Sequence, residues 1–159
     1  MSRIAAVTVP QDTAFAGTTE STHRTRPGVP PRLLRGVSVD SMATYDRIVF
    51  EFADTVPGYH VEYATRPVVR CGSGDPVTVA GTARLVVRLQ PARAHDDRGN
   101  SSVERRAWSP GLPAVKEMTL ICDFEGQVEW VLGVGATRPY RVTETDEPPR
   151  VILDVRRGP

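Results

Sequence analysis

The stretch YDRIVFEFADTVPGYHVEY, residues 45–63, decides the fold class. In its first half Ile48, Phe50 and Phe52 fall on one side of an extended chain and Arg47 and Glu51 on the other, because successive strand side chains point to opposite faces. A turn begun at Asp54 closes through Pro57 and Gly58, and beyond it Tyr59, Val61 and Tyr63 alternate with His60 and Glu62. Proline and glycine supply the backbone angles of such a turn. The stretch therefore reads as two amphipathic strands, and the short connection predicts a hairpin.

The same period of two recurs outward from this point. Leu85, Val87 and Leu89 alternate with Arg84, Val86 and Arg88 until Pro91 stops the run. Met118, Leu120 and Cys122 share a face, as do Val128, Trp130 and Leu132 after the turn formers from Asp123 to Gly126, which predicts a second hairpin. Tyr140 with Val142, and Val151 with Leu153 and Val155 after Pro148 and Pro149, read as the last strands. Arg66 to Cys71 reads as a further short strand before the turn set Gly72, Ser73, Gly74, Asp75 and Pro76, and residues 91–114 read as one long loop. Residues 1–32 are rich in Thr, Ser, Pro, Gly and Ala and read as a flexible, disordered N-terminal tail or linker, leaving 33–159 as the domain. With 22 Val against 8 Leu the apolar set favours pleated strands. No apolar stripe of helical period competes, so the expectation is all-β: an antiparallel β-sandwich of about seven to nine short strands.

Composition narrows the function. A chain of 159 residues, 40% hydrophobic and 25% charged, suits one globular domain. Basic residues number 20 and acidic residues 19, far from the basic footprint that phosphate neutralisation needs, so no nucleic acid partner is expected. No run approaches the roughly 18 apolar residues of a membrane helix, so no transmembrane segment is expected, and Met1 to Val9 lacks the apolar core of a secretory signal.

The chemistry-bearing residues are few. Nucleophilic catalysis wants a nucleophile beside an oriented base, yet His23, His60 and His95 stand in the predicted tail, a strand and a loop, with no Gly-x-Ser-x-Gly elbow. Gly72, Ser73 and Gly74 lack the following helix and Lys of a phosphate loop. His95, Asp96, Asp97 and Asn100 crowd oxygen and nitrogen donors around Gly99, but without the alternate spacing of a calcium loop they read as a solvated polar loop. Asp123 and Glu125 read as residues of a hairpin turn rather than as an acid–base pair. No catalytic residue, metal or cofactor is therefore assigned. Tyr59, Tyr63, Trp130 and Tyr140 lie on apolar strand faces and read as core, whereas Trp108, in the loop before Pro110, is the better candidate for an exposed contact. Cys71 and Cys122 are too few for a disulfide framework and fit no zinc spacing. Two readings stay open for them: one bridge, or two small buried hydrophobes.

Taken in order, YDRIVFEF (45–52), PGYHVEY (57–63), GSGDPVTVAG (72–81), ARLVVRLQPARAHD (83–96), LPAVKEMTLICDFEGQVEWVLGV (112–134), PYRV (139–142) and PPRVILDV (148–155) resemble the AMIN-like domain of actinobacterial proteins. The resemblance covers residues 33–155 and leaves the tail outside. It implies a β-sandwich related to the AMIN domain, a module found beside cell-wall amidases and in secretion-pore proteins, where it helps bind peptidoglycan or localise its host. It brings no catalytic residues. It also implies an exported or lipid-anchored protein of the cell envelope; this chain shows neither a signal peptide nor a lipobox cysteine, so a cytoplasmic location stays open, and Cys71 and Cys122 are not part of the family pattern. The expected function is a non-catalytic envelope module binding peptidoglycan or a cell-wall protein. Arg84 and Arg88, on the polar face of one strand, are candidates to pair with stem-peptide carboxylates, since a guanidinium fork matches a carboxylate; Trp108 is the third candidate ligand residue. The alternative is a protein interaction or assembly domain that pairs through an edge strand.

Overall fold

The computed structural model describes residues 15–159, among which there are eleven strands and no helix. One sheet has the order β1 (Thr22–Arg24), β4 (Gly58–Tyr63), β5 (Ala83–Gln90), β9 (Gln127–Val134), β8 (Val115–Phe124), β7 (Ala107–Trp108). The other has the order β10 (Tyr140–Asp146), β11 (Pro149–Arg156), β3 (Tyr45–Phe52), β2 (Arg32–Ser41), β6 (Ala92–Arg93). Neighbours are antiparallel except β2 and β6, which run parallel where Arg32 and Leu33 meet Ala92 and Arg93. The expected all-β sandwich is what forms, and three strands beyond the long ones, β1, β6 and β7, are only two or three residues each.

Alternation explains the core. Ile48, Phe50 and Phe52 from β3 and Val151, Leu153 and Val155 from β11 face Leu85, Val87 and Leu89 from β5 and Val128, Trp130 and Leu132 from β9 across the gap between the sheets. Trp130 is fully buried at the centre, its ring 6.2 Å from Phe50 and 6.1 Å from Trp108. Asp46 is buried too, and its carboxylate accepts the Ala114 and Val115 N–H groups at 2.6 and 3.0 Å and Arg157 Nε at 3.1 Å. That bond set ties β3 in one sheet to the start of β8 in the other.

The outward side of β3 is not simply solvated. Arg47 lies in register with Asp154 and donates from Nε to Oδ1 at 2.8 Å, while Arg141 Nε reaches Oδ2 at 2.9 Å. A buried carboxylate needs such paired donors, and the hydrogen bond to Asp154 raises the Arg47 pKa against the opposing effect of burial.

Three expectations are corrected. Residues 45–52 and 59–63 do not form a hairpin: β3 lies between β11 and β2, β4 lies between β1 and β5, and residues 53–57 cross from one sheet to the other. Alternation decides which face a side chain takes but not which strand lies beside it. Between Arg66 and Cys71 only Val69 makes a ladder contact, an isolated bridge to Pro76. The second hairpin, β8 with β9, forms as expected.

The third correction concerns the expected tail, whose residues 1–14 lie outside the described residues. Residues 15–31 lie on the domain. β1 extends the larger sheet, with Thr22, His23 and Arg24 opposite Val61, His60 and Tyr59, and Thr18 exchanges two backbone bonds of 2.9 Å with Tyr140. The Tyr140 hydroxyl donates to the Glu20 carbonyl at 2.5 Å, and Arg26 joins the Pro57 carbonyl to Glu144. Apart from the Phe15 ring, edge-on to Tyr45 at 5.3 Å and 4.1 Å from the Arg141 guanidinium, the anchors are polar, so the segment shows no alternating apolar run that would signal its docking.

Candidate functional site

The outer face of the six-stranded sheet is half roofed. Residues 64–82, between β4 and β5, fold back over it, and Val68 and Val79 pack on Ile121 and Val131 to make a second small apolar cluster. The contact is so close at Gly133 that a Cβ there would sit 1.9 Å from the Ala80 carbonyl oxygen. Only glycine admits that approach. At its far end the roof is joined covalently to β8 by a disulfide between Cys71 and Cys122, whose Cα atoms are 5.2 Å apart. Of the two readings open for the cysteines, the bridge is the one the structure holds. The Cys71 N–H donates to the Ile121 carbonyl at 3.1 Å beside it.

The unroofed half carries two adjoining grooves that meet at His60 and Arg88. The first, of about 430 Å³, runs between residues 23–29 and strands β4 and β5; Arg24, Arg26, Arg88, His23 and His60 line it, with no carboxylate in its lining. The second, of about 510 Å³, follows the roof and adds Arg66, Glu62 and Glu129. His23 lies opposite His60 with the rings stacked 6.0 Å apart, and the His60 ring contacts Glu62. Arg88 donates from Nε and Nη2 to Glu129 Oε2 at 3.3 and 3.2 Å, and its side chain is still 42% exposed. Burial pushes the Tyr59 hydroxyl pKa up at the base of the first groove.

Against this layout the sequence-predicted residues separate. Arg84 and Arg88 share one strand face, as alternation requires, but only Arg88 lines the two grooves. Arg84 is half-buried opposite Gly133, and its enclosed Nε has no hydrogen-bond partner among the described residues. Trp108 belongs to the other side of the sheet: it is half-buried against the inter-sheet core, edge-on to Trp130, with the Arg105 guanidinium 5.7 Å from its ring. Its open side borders a groove of about 290 Å³ along Gly36 to Val39. The structure therefore does not bring Trp108 to Arg84 and Arg88.

A charged cluster at the β8–β9 tip was not legible as a unit. Asp123, only 8% exposed in its side chain, accepts the Ala94 N–H at 2.9 Å, the His95 Nδ1–H at 2.9 Å and Arg106 Nη2 at 3.0 Å. Burial pushes its carboxyl up, but these three donors outweigh burial and hold it below the usual carboxylate range. Arg106 also donates to the Ala94 carbonyl and to Ser101 Oγ. No spacing in the sequence links positions 95, 106 and 123; only the strand pairing brings them together. Asp96 accepts the Arg98 and Asn100 N–H groups at 2.9 Å each, so it folds its own loop. Glu125 and Gly126 take positive φ of 51° and 78°, the tight turn expected of them.

The family model for the AMIN-like domain matches residues 32–157 of the chain. No curated protein and no solved structure matches it.

Proposed function

The chain belongs to the AMIN-like domain family, and from that premise we propose that it is a non-catalytic binding module of the cell envelope that holds peptidoglycan on the outer face of its six-stranded sheet. One observation carries the reading: the groove at Arg88 is lined by three Arg and two His and by no carboxylate, their partners Glu144, Glu129 and Glu62 lying outside that lining. Guanidinium forks match carboxylates bidentately, and the free carboxylates of stem peptides are such groups. Arg88 anchors the ligand where the two grooves meet, whereas Arg84 lies outside both grooves and Trp108 packs on the core. The Cys71–Cys122 bridge suits an oxidising compartment, in keeping with an exported location.

Sedimentation with insoluble peptidoglycan over a range of salt tests this. Retention is expected to weaken as salt rises and to fall several-fold in Arg88→Ala, about the loss of one charge-assisted hydrogen-bonded pair. A wild-type protein that stays in the supernatant even at low salt removes the reading.

A second reading rests on a different surface. β2 is ten residues long, yet β6 covers only Arg32 and Leu33, which leaves the rest of its outer edge without a strand partner among the described residues, beside Trp108. Such an edge can take a strand from a wall-associated protein or from a second copy. Concentration-dependent size in sedimentation equilibrium, abolished by Val37→Lys, is its expected sign.

A further inference from the structure

The Cys71–Cys122 bridge belongs to neither apolar cluster of the domain. Alternation alone would turn Cys122 inward with Met118 and Leu120, but β8 carries a bulge: Leu120 lies opposite Trp130 and Cys122 opposite Glu129, the outward partner of Arg88. The one extra residue brings Cys122 round to the outer face, where Cys71 meets it. The two cysteines differ in access. Cys122 is 5% exposed, whereas Cys71 is exposed and opens a turn in which Gly72 and Gly74 have nothing within 4 Å of the Cβ that each lacks.

Both cysteines line a groove of about 350 Å³ at the β8–β9 tip, together with Leu120, Ile121 and the Phe124 ring, which is 60% exposed. The groove is more apolar than polar, and its charged members are Arg70, Arg106 and Asp123. The Asp123 carboxylate is already taken up by Ala94, His95 and Arg106. Guanidinium groups favour a nearby thiolate over the thiol. Exposed disulfides are also the labile ones, because exchange needs an attacking thiolate to reach a sulfur atom. An apolar rim around such a bond therefore suits a protein that presents a thiolate from an apolar surface; a small thiol would need no rim.

We propose that this groove is a thiol–disulfide exchange site, at which a protein dithiol of the Cys-X-X-Cys type docks on Phe124 and opens the Cys71–Cys122 bridge. Its thiolate attacks Sγ of Cys71, the accessible residue. The bridge breaks, its electron pair leaves on Cys122 Sγ as a thiolate, and a mixed disulfide joins Cys71 to the partner. The partner's second thiol then attacks its own sulfur in that mixed disulfide. The partner departs as a disulfide, and Cys71 and Cys122 have gained its two electrons and two protons. Opening the bridge frees the far end of the roof, while the Val68 and Val79 packing and the hydrogen bond from Ala80 N–H to Glu117 persist. It thereby loosens the wall of residues 66–69 that bounds the second groove at Arg88. The exchange site stands whatever that groove binds.

The test exposes the whole oxidised chain, without denaturant, to reduced thioredoxin or to dithiothreitol at equal dithiol concentration, with free thiols alkylated and located by peptide mass. Thioredoxin is expected to open the bridge faster than dithiothreitol. Phe124→Ala is expected to slow the thioredoxin reaction about tenfold, the scale of a lost aromatic contact, and to leave the dithiothreitol rate and the unfolding midpoint unchanged. Phe124→Trp should restore the rate. An excess of thioredoxin lacking its second cysteine, quenched by the alkylating agent, is expected on Cys71 with Cys122 alkylated. A bridge that resists both reductants until denaturant is added overturns the proposal. So does capture on Cys122, or a Phe124→Ala variant that reacts with thioredoxin as fast as wild type or slows equally with both reductants.

Discussion

The two faces of the six-stranded sheet are covered in opposite ways. Its inner face packs on the other sheet, and every inward residue of β5 and β9 is buried in the one core cluster that β3 and β11 share. Its outer face is covered in part by residues 64–82, where Val68 and Val79 pack on Ile121 and Val131 and close glycine approaches, hydrogen bonds and one disulfide complete the contact. Burial of apolar surface stabilises in proportion to area, so the inner face sets the stability of the domain. The roof adds a smaller apolar contact to the sheet, supplemented by hydrogen bonds and a covalent tie. What the difference teaches is where binding capacity resides: the grooves at Arg88 and at Phe124 both lie along the margin of the roof, where the sheet is neither fully covered nor bare.

The strongest way to break that contrast is to attack the inner face. Trp130→Ala removes the central ring between Phe50 and Trp108 and is expected to cost about 3–5 kcal/mol, a large share of the stability of a domain of this size. Chemical denaturation should show one lowered midpoint for every probe, roof included.

Removing the bridge is the next largest change and should act differently. Cys71 and Cys122 are 51 positions apart, and closing a loop of that length stabilises by about 4 kcal/mol at most in the chain-entropy view, often less. In a Cys71→Ala, Cys122→Ala double variant, hydrogen exchange should quicken across residues 64–82 while β5 and β9 amides keep their relative protection. Uniform loss of protection across both faces would show that roof and core unfold as one unit and that the contrast is wrong.

Gly133→Ala sharpens the same comparison at one atom. Its Cβ would meet the Ala80 carbonyl oxygen at 1.9 Å, so either the roof lifts or β9 shifts, at about 1–3 kcal/mol, the usual cost of overfilling a packed site. Lifting is expected, since β9 is clamped between β5 and β8; a crystal structure with the roof unmoved and β9 displaced would reverse that order of rigidity.

Legibility followed the same division. The central strands that face the inner core could be seen in the sequence, because Leu85-Val87-Leu89 and Val128-Trp130-Leu132 repeat with the period of the pleat, whereas the core residues Ala92, Ala94, Val103 and Leu112 lay hidden in what read as one long loop. Nor could strand partners be seen: β3 and β4 are neighbours in sequence and lie in different sheets. The docking of residues 15–31 escaped notice because hydrogen bonds from Tyr140 and Arg26 and the single ring of Phe15 against Tyr45, rather than an alternating apolar run, hold it. Of the candidate site, Arg88 was legible from its exposed strand position. Its neighbours His23 and Arg24 were not, since they reach it only through that docked segment. Trp108 was misplaced because a tryptophan among polar loop residues looks exposed until β7 turns it against Trp130.

The smallest expected effect concerns the polar rim of the tip, and here pH supplies the lever. Asp123 has its carboxyl held below the usual range by Ala94, His95 and Arg106 against the opposing pull of burial. A depressed carboxyl stabilises the folded state above its unfolded value, about 3.9, and that contribution disappears as the pH falls through the lower folded value. Asp123→Asn, which keeps the shape and removes the charge, should therefore cost about 1–2 kcal/mol at neutral pH, the scale of hydrogen bonds to a charged group. The difference between variant and wild type should shrink only below about pH 4. Because the cluster ties the loop at Ala94 and His95 to β8 and not the roof to the sheet, residues 64–82 should keep their exchange rates in the variant while the Ala94 amide loses protection. A roof that loosens along with the Ala94 amide would mean that the tip, like the disulfide, is part of what holds the outer cover in place.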